Sequence, residues 1–216
     1  MSSKHLSGTD TDPAPYWDEA CKTLADTDPV LGAMIEAAGG AALRPRRDPF
    51  YSLARSIVGQ QISVKAAESV WQKLMDQVQT MAPGSVAAHD EDGLRACGLS
   101  RQKALYMLSL AGHFLDGSLA LDEWPEMDDE AVIGELTQVK GIGRWTAEMF
   151  LIFHLVRPDV LPVADIGIQK AMRNHYTNGE KPSADRMLAI AEPWRPWRSV
   201  AVWYLWRSLD AIPVEY

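Results

Sequence analysis

The sequence predicts an all-α fold, and three observations carry that expectation. Apolar residues recur at helical spacing through most of the chain. Ser or Asp stands ahead of several of these runs, where a helix N-cap belongs. No run of alternating residues is bounded by turns on both sides, as a strand would be. The 216 residues are enough for one domain, or two small lobes, with a substantial core. With 47% hydrophobic and 23% charged residues, the chain is neither intrinsically disordered nor a fibrous repeat.

Residues 1–14, rich in Ser, Thr, Asp and Pro, read as a disordered tail ahead of a helical domain over 15–216. Asp48-Pro49 sets an N-cap before a proline at the first helical position, opening a run whose Leu53, Ile57 and Val58 share a face. Ser63 opens the next helix, with Val64, Ala67, Val70, Trp71, Leu74 and Val78 as its apolar stripe. Pro83-Gly84 breaks the pattern. A short helix is expected near 91–96, then a longer one over 101–115 with Leu105, Leu108, Ala111 and Leu115 on one face. The acidic segment 116–130 reads as loop, turning at Trp124-Pro125, and Asp128 or Asp129 can cap a helix over 130–136. Further helices are expected over 144–156, 166–175, 183–191 and 196–210, about ten in all. Trp194, Trp197, Trp203 and Trp206 fall in the last of them or just before it.

Composition narrows the function classes. A formal net charge of −8 argues against a polyanionic partner only until its distribution is read. Residues 1–40 hold two Lys against seven acids, and residues 116–135 hold eight acids with no Lys or Arg. The rest of the chain is left at +5, so a basic face is compatible with the sequence. No stretch is apolar enough for a membrane span, and the polar N-terminus is not a secretory signal. Cys21 and Cys97 are too few for a disulfide framework, a four-cysteine zinc site or an iron–sulfur cluster. These features predict a soluble intracellular protein. His113, His154 and His175 lack metal-ligand spacing, and neither a phosphate-loop nor a nucleophile-elbow motif occurs.

The chemistry concentrates in residues 136–170. Val139-Lys140-Gly141-Ile142-Gly143-Arg144 puts two glycines between two helices. That spacing allows a tight hairpin whose backbone N–H groups, at the start of the second helix, suit a phosphate. Lys140 and Arg144 flank it with positive charge. An ordinary αα-corner with a glycine C-cap fits the same spacing. Further on, Leu161-Pro162-Val163-Ala164-Asp165 leads into a helical run, where Asp165 is placed as an N-cap. A capping carboxylate is held in one orientation, as a group stabilising a transition-state cation must be.

These residues resemble the helix–hairpin–helix, Gly/Pro-rich loop and essential aspartate of the DNA base-excision glycosylase superfamily. The resemblance narrows to the 3-methyladenine DNA glycosylase II, or alkylpurine glycosylase, branch. Three further stretches extend it over about residues 28–210. Ile57-Val58-Gly59-Gln60-Gln61-Ile62-Ser63 is similar to the family's I-x-x-Q-Q-x-S segment. Gly98-Leu99-Ser100-Arg101-Gln102-Lys103-Ala104 is similar to its minor-groove loop, and Pro196-Trp197-Arg198-Ser199 with Trp206 to its last helix.

The resemblance implies a two-lobed helical fold with the active site in the cleft between lobes and the helix–hairpin–helix near 130–156. It implies a monomer acting on double-stranded DNA with damaged bases, with no membrane partner. The setting would be the cytoplasm and nucleoid of a bacterium or the nucleus of a eukaryote. A damaged nucleotide must be flipped out of the duplex before its glycosidic carbon can be reached. Alkylation leaves the base cationic, and Trp145 and Trp206 would face that cation as pocket walls. Where close relatives have a tyrosine, this chain has Met149, which would leave the pocket less aromatic. Asp165 would stabilise the oxocarbenium-like sugar and orient or activate the water. The superfamily's glycosylase/lyases carry a lysine directly after the hairpin motif, where this chain has Trp145. The resemblance therefore implies a monofunctional hydrolase.

Gln60, Gln61, Leu99 and Ser100 are the candidates for the wedge that fills the gap in the duplex, although the glutamines could equally cap helix ends. Phosphate contacts would come from Lys140, Gly141, Gly143, Arg144, Lys170 and Arg101. No cofactor is required, and no iron–sulfur cluster is expected. Backbone carbonyls near Thr137, Val139 and Ile142 would hold a structural Na+ or K+ at the hairpin. Two other readings compete: a non-catalytic module that uses the hairpin only for phosphate contacts, and a glycosylase for another damaged or mismatched base.

Overall fold

The computed structural model describes residues 12–44 and 48–209. Its helices are α1 (Trp17–Thr27), α2 (Pro29–Ala37), α3 (Pro49–Gly59), α4 (Val64–Val78), α5 (Pro83–Ala87) and α6 (Glu91–Ala96). There follow α7 (Arg101–Leu115), α8 (Asp129–Leu136), α9 (Arg144–Phe153), α10 (Ile166–His175), α11 (Ala184–Ala191) and α12 (Arg198–Arg207). A 3-10 turn, Glu192–Trp194, precedes α12, and no strand occurs among the described residues.

The N-caps read from the sequence are made. Asp48 accepts the Tyr51 N–H at 2.7 Å, and Ser63 accepts that of Ala66 at 3.3 Å. Between the two acids at the start of α8, it is Asp128 that caps, taking the Ala131 N–H at 2.8 Å. Each such bond satisfies a donor that the first helical turn leaves without an internal partner.

Several expectations need correcting. Pro83 does not end structure: it is the first residue of α5, a position where its missing N–H costs nothing. On α7 the buried residues are Ala104, Met107, Leu110 and Ala111, while Leu105 and Leu115 are 43% and 58% exposed. Both stripes are apolar, and packing against α3, α5 and α6 selects the first. Val64, at the exposed start of α4, is outside its helix's buried stripe. The tail expected over 1–14 lies outside the described residues through residue 11, and Ala14 belongs to the core, 4% exposed. Helix α9 stops at Phe153, short of residue 156. Helix α12 begins at Arg198 rather than 196, and residue 210 of the expected span lies outside the described residues.

The chain divides into two compact units. One comprises the described residues 12–44 and 156–209, so its helices come from both ends of the sequence. There α12 packs against α1, α2 and α10, burying Leu24, Leu31, Met172 and Val202. Trp17 meets Trp203 edge-on at 5.1 Å between ring centroids. The other unit is the continuous stretch 48–155, with α3 through α9 around Leu53, Ile57, Leu74, Met107, Leu110 and Leu151.

Candidate active site

In the discontinuous unit, the loop that precedes α10 is fixed from α12. Arg198 donates to the Asp159 carboxylate at 2.6 and 3.1 Å, and to the Asp159 carbonyl at 2.8 Å. The Ser199 N–H donates to the Pro158 carbonyl, and its Oγ accepts the Val160 N–H, both at 2.9 Å. Trp197 stacks on Tyr16 with centroids 5.4 Å apart. The Pro196-Trp197-Arg198-Ser199 stretch thus ties the approach to Asp165 onto the last helix.

Asp165 itself is 7% exposed. Its Oδ1 accepts the Ile168 N–H at 2.7 Å, the expected N-cap, and the Trp206 indole N–H at 2.9 Å. Between these partners lies Gly167, whose significance the sequence reading missed. A Cβ there would come 3.0 Å from Asp165 Oδ1 and 3.0 Å from the Trp206 ring. The available signal was a glycine inside the first turn of a helix, where its backbone freedom is a cost. Trp206 is half-buried, and Lys170 is exposed on α10.

The continuous unit supplies the hairpin, residues 137–143, between α8 and α9. Val139 and Ile142 are buried and anchor it, and the Ile142 N–H donates to the Val139 carbonyl at 3.0 Å. Gly141 has φ +89, a left-handed conformation that favours glycine, and a Cβ on it would sit 2.1 Å from the Tyr106 ring. The Gly141 carbonyl accepts Gln60 Nε2 at 2.9 Å, and the Lys140 N–H donates to Ser109 Oγ at 3.3 Å. Gly143 is the exposed N-cap of α9 and has nothing within 4 Å of its Cβ position. A helix start with no side-chain cap and open space in front of it can take an anion.

Three of the four wedge candidates are otherwise engaged. Gln60 holds the hairpin carbonyl just described. Leu99 is 5% exposed, packed inward, and Ser100 caps α7 by accepting the Lys103 N–H at 3.2 Å. Gln61 remains: it is exposed at φ +58, on the turn between α3 and α4. On α3, the Val58 carbonyl accepts Lys103 Nζ at 2.7 Å, and burial lowers the pKa of this amine.

The arginines assigned to phosphate are also committed. Arg144 donates to both Glu130 oxygens, one at 2.9 Å, and to Glu148 Oε1 at 3.1 Å, so it straps α8 to α9. Its bond to Glu130 raises its pKa further above the usual arginine range. Arg101 pairs with Glu91 at 3.1 Å. Lys140 is exposed. Of the pocket residues, Trp145 is half-buried and Met149 is 3% exposed, closed off from solvent. No cluster of three His, Cys, Asp or Glu able to hold a metal occurs among the described residues.

A helical fold, a Gly-x-Gly hairpin leading into a helix and a capping aspartate on the following helix define a class. The chain belongs to the HhH-GPD superfamily of base excision DNA repair proteins, whose model matches residues 54–196. Among its solved relatives, a DNA-3-methyladenine glycosidase from Bacillus halodurans is 35% identical with a TM-score of 0.79, covering 94% of this chain and 93% of that one. The Schizosaccharomyces pombe 3-methyladenine DNA glycosylase, solved in complex with abasic DNA, is 31% identical with a TM-score of 0.76, covering 88% and 96%. A longer Bacillus subtilis relative is 32% identical, and the aligned region covers 83% of this chain and 66% of that protein.

Proposed function

We propose that this protein is a monofunctional DNA glycosylase that excises alkylated bases, of the 3-methyladenine and 7-methylguanine kind, and leaves an abasic site. The observation that carries the reading is Asp165, a nearly buried carboxylate that accepts two N–H donors, one of them a tryptophan indole, in a chain of this family. The flipped base is cationic, so breaking the C1′–N bond returns the electron pair to the base, which leaves neutral. The sugar takes up the positive charge. Asp165 stabilises it, water adds its oxygen to C1′, and the water proton is released. A leaving group that departs neutral needs no strong general acid. Trp145 occupies the position where lyases of this superfamily carry their lysine, so no Schiff base forms there.

The hairpin amides at Gly143 and α9 take a backbone phosphate, and Gln61 fills the space the nucleotide vacates. The carbonyls of Thr137, Val139 and Ile142 are neutral and would suit Na+ or K+ rather than a divalent ion, adding rigidity to the hairpin and no chemistry. The enzyme works as a monomer wherever the cell keeps its DNA, and no helix among the described residues is long and apolar enough to cross a membrane.

Asp165→Asn tests the reading. The variant is expected to lose about 10²–10³ in single-turnover release of base from methylated DNA, the scale of one transition-state electrostatic contact, while still binding an abasic duplex. Wild-type excision by this variant would remove Asp165 from the mechanism.

A further inference from the structure

We infer that Trp206 serves as the positioning residue of Asp165 rather than as a wall against the base, and that Gly167 is the gap through which the two meet. The inference rests on the proposed role of Asp165 and deepens it.

The indole N–H and the Ile168 N–H both land on Oδ1, at 2.9 and 2.7 Å. Two donors on one oxygen, arriving from different helices, fix rotation of the carboxylate and so set where Oδ2 lies. The indole donor has little freedom of its own. Eight residues earlier on α12, Arg198 is bonded to Asp159, and Ser199 to Pro158 and Val160, on the loop that delivers Asp165. The same helix therefore controls the carboxylate both through the chain leading to it and through its side chain.

Gly167 completes the arrangement. A Cβ would meet Asp165 Oδ1 and Trp206 Cδ1 at 3.0 Å and Trp206 Nε1 at 3.1 Å, tighter than ordinary contact on both partners. Glycine is a poor helix residue, yet here only a residue without a side chain lets the ring reach the carboxylate unstrained. A tryptophan needed only to stack on a base would have no use for this bond or this gap.

The two roles differ in what they change. A stacking wall contributes to affinity for the flipped cation, and a phenylalanine would largely replace it. A positioning residue acts on the rate, and phenylalanine, which has no N–H, fails. Single-turnover excision is measured on a duplex carrying one 7-methylguanine, for Trp206→Phe, Gly167→Ala, Asp165→Asn and the double variant Asp165→Asn/Trp206→Phe. Rates are divided by the fraction of enzyme able to bind a tetrahydrofuran abasic-analogue duplex, so that misfolded protein is not scored as lost chemistry.

Trp206→Phe is expected to slow excision by roughly ten- to a hundredfold, the range for a hydrogen bond to a charged group, with the enzyme concentration at half-maximal single-turnover rate unchanged. Gly167→Ala is expected to slow it in the same manner. The double variant is expected to be no slower than Asp165→Asn alone, because the indole acts only through the carboxylate. A wild-type rate for Trp206→Phe, a loss confined to half-saturation, or additive losses in the double variant would each overturn the positioning role. A wild-type rate for Gly167→Ala would overturn the gap. Should Asp165→Asn itself excise normally, the failure would belong to the catalytic reading.

Discussion

A methyl group added at Gly141 would lie 2.1 Å from the Tyr106 ring on a backbone at φ +89, whereas one added at Gly143 meets nothing within 4 Å. The hairpin's two glycines therefore answer to different demands: Gly141 to folding and Gly143, in the proposed phosphate contact, to the approach of a ligand. Gly141→Ala is expected to lower the unfolding free energy by about 2–4 kcal/mol, from overpacking and left-handed strain together, as read by chemical denaturation. Gly143→Ala is expected to keep stability within about 0.5 kcal/mol. Its methyl group would stand where a phosphate approaches, and fluorescence anisotropy should show affinity for abasic DNA falling about tenfold, the value of one charge-assisted hydrogen bond. Equal stability for the two variants would mean that Tyr106 moves aside at no cost. Gln60 belongs to the same account: its amide donates to the Gly141 carbonyl and so supports the hairpin.

Among the elements, α1, α10 and α12 of the discontinuous unit share a dependence on tyrosines, Tyr16 and Tyr176 half-buried and Tyr204 buried. The Tyr16 hydroxyl, just before α1, donates to the Val156 carbonyl at 2.6 Å, and burial pushes its pKa up to about 12. Burial also raises Tyr176, which donates to Asp28, and Tyr204. An unfolded tyrosine ionises near pH 10, so above that pH the unfolded chain gives up protons that the folded one retains. The stability these groups supply is complete below about pH 10 and falls as pH rises toward 12. Denaturation followed from pH 8 to 12 should show this loss, and Tyr16→Phe should flatten it. A curve indifferent to Tyr16 would show that its hydroxyl is hydrated in the folded protein. Elements such as α4, α8 and α10 were legible because Ser63, Asp128 and Asp165 announce them with caps, and capping is local. The face of α7 was not, since Leu105 and Met107 are both apolar and only packing decides between stripes. Helix α1 has no side-chain cap to announce it, and the Asp28 cap of α2 follows it directly, so the two are not separated by local pattern. At the site, Asp165 could be read from its own neighbours in sequence. The Arg144–Glu130 pair spans fourteen positions, and Leu99 turns inward between Gly98 and Ser100, so neither could be read from local pattern.

For the molecule as a whole, the charge that matters to DNA is smaller than a count of arginines suggests. Arg55, Arg95, Arg101, Arg144, Arg195 and Arg198 all make ion pairs with carboxylates. Lys140 and Lys170 are exposed, and in the proposed function they and the neutral hairpin amides are the groups expected to meet phosphate. A plot of log affinity against log salt should have a slope equivalent to about three neutralised phosphates, reduced by about one in Lys140→Ala or Lys170→Ala and unchanged in Arg144→Ala. A slope equivalent to eight or more contacts would place DNA on another face. The division of the chain into a continuous and a discontinuous unit has a consequence in time. A ribosome releases residues 48–155 as one uninterrupted stretch, and such a unit can fold as it emerges. Helices α1 and α2, made first, must wait for α10 and α12. Asp165 acquires its helix cap within three residues but meets its indole partner forty-one residues later. On the proposed roles of the hairpin and Asp165, the nascent chain gains its grip on phosphate before its means of breaking a bond. An unfinished copy could occupy a damaged site without opening it.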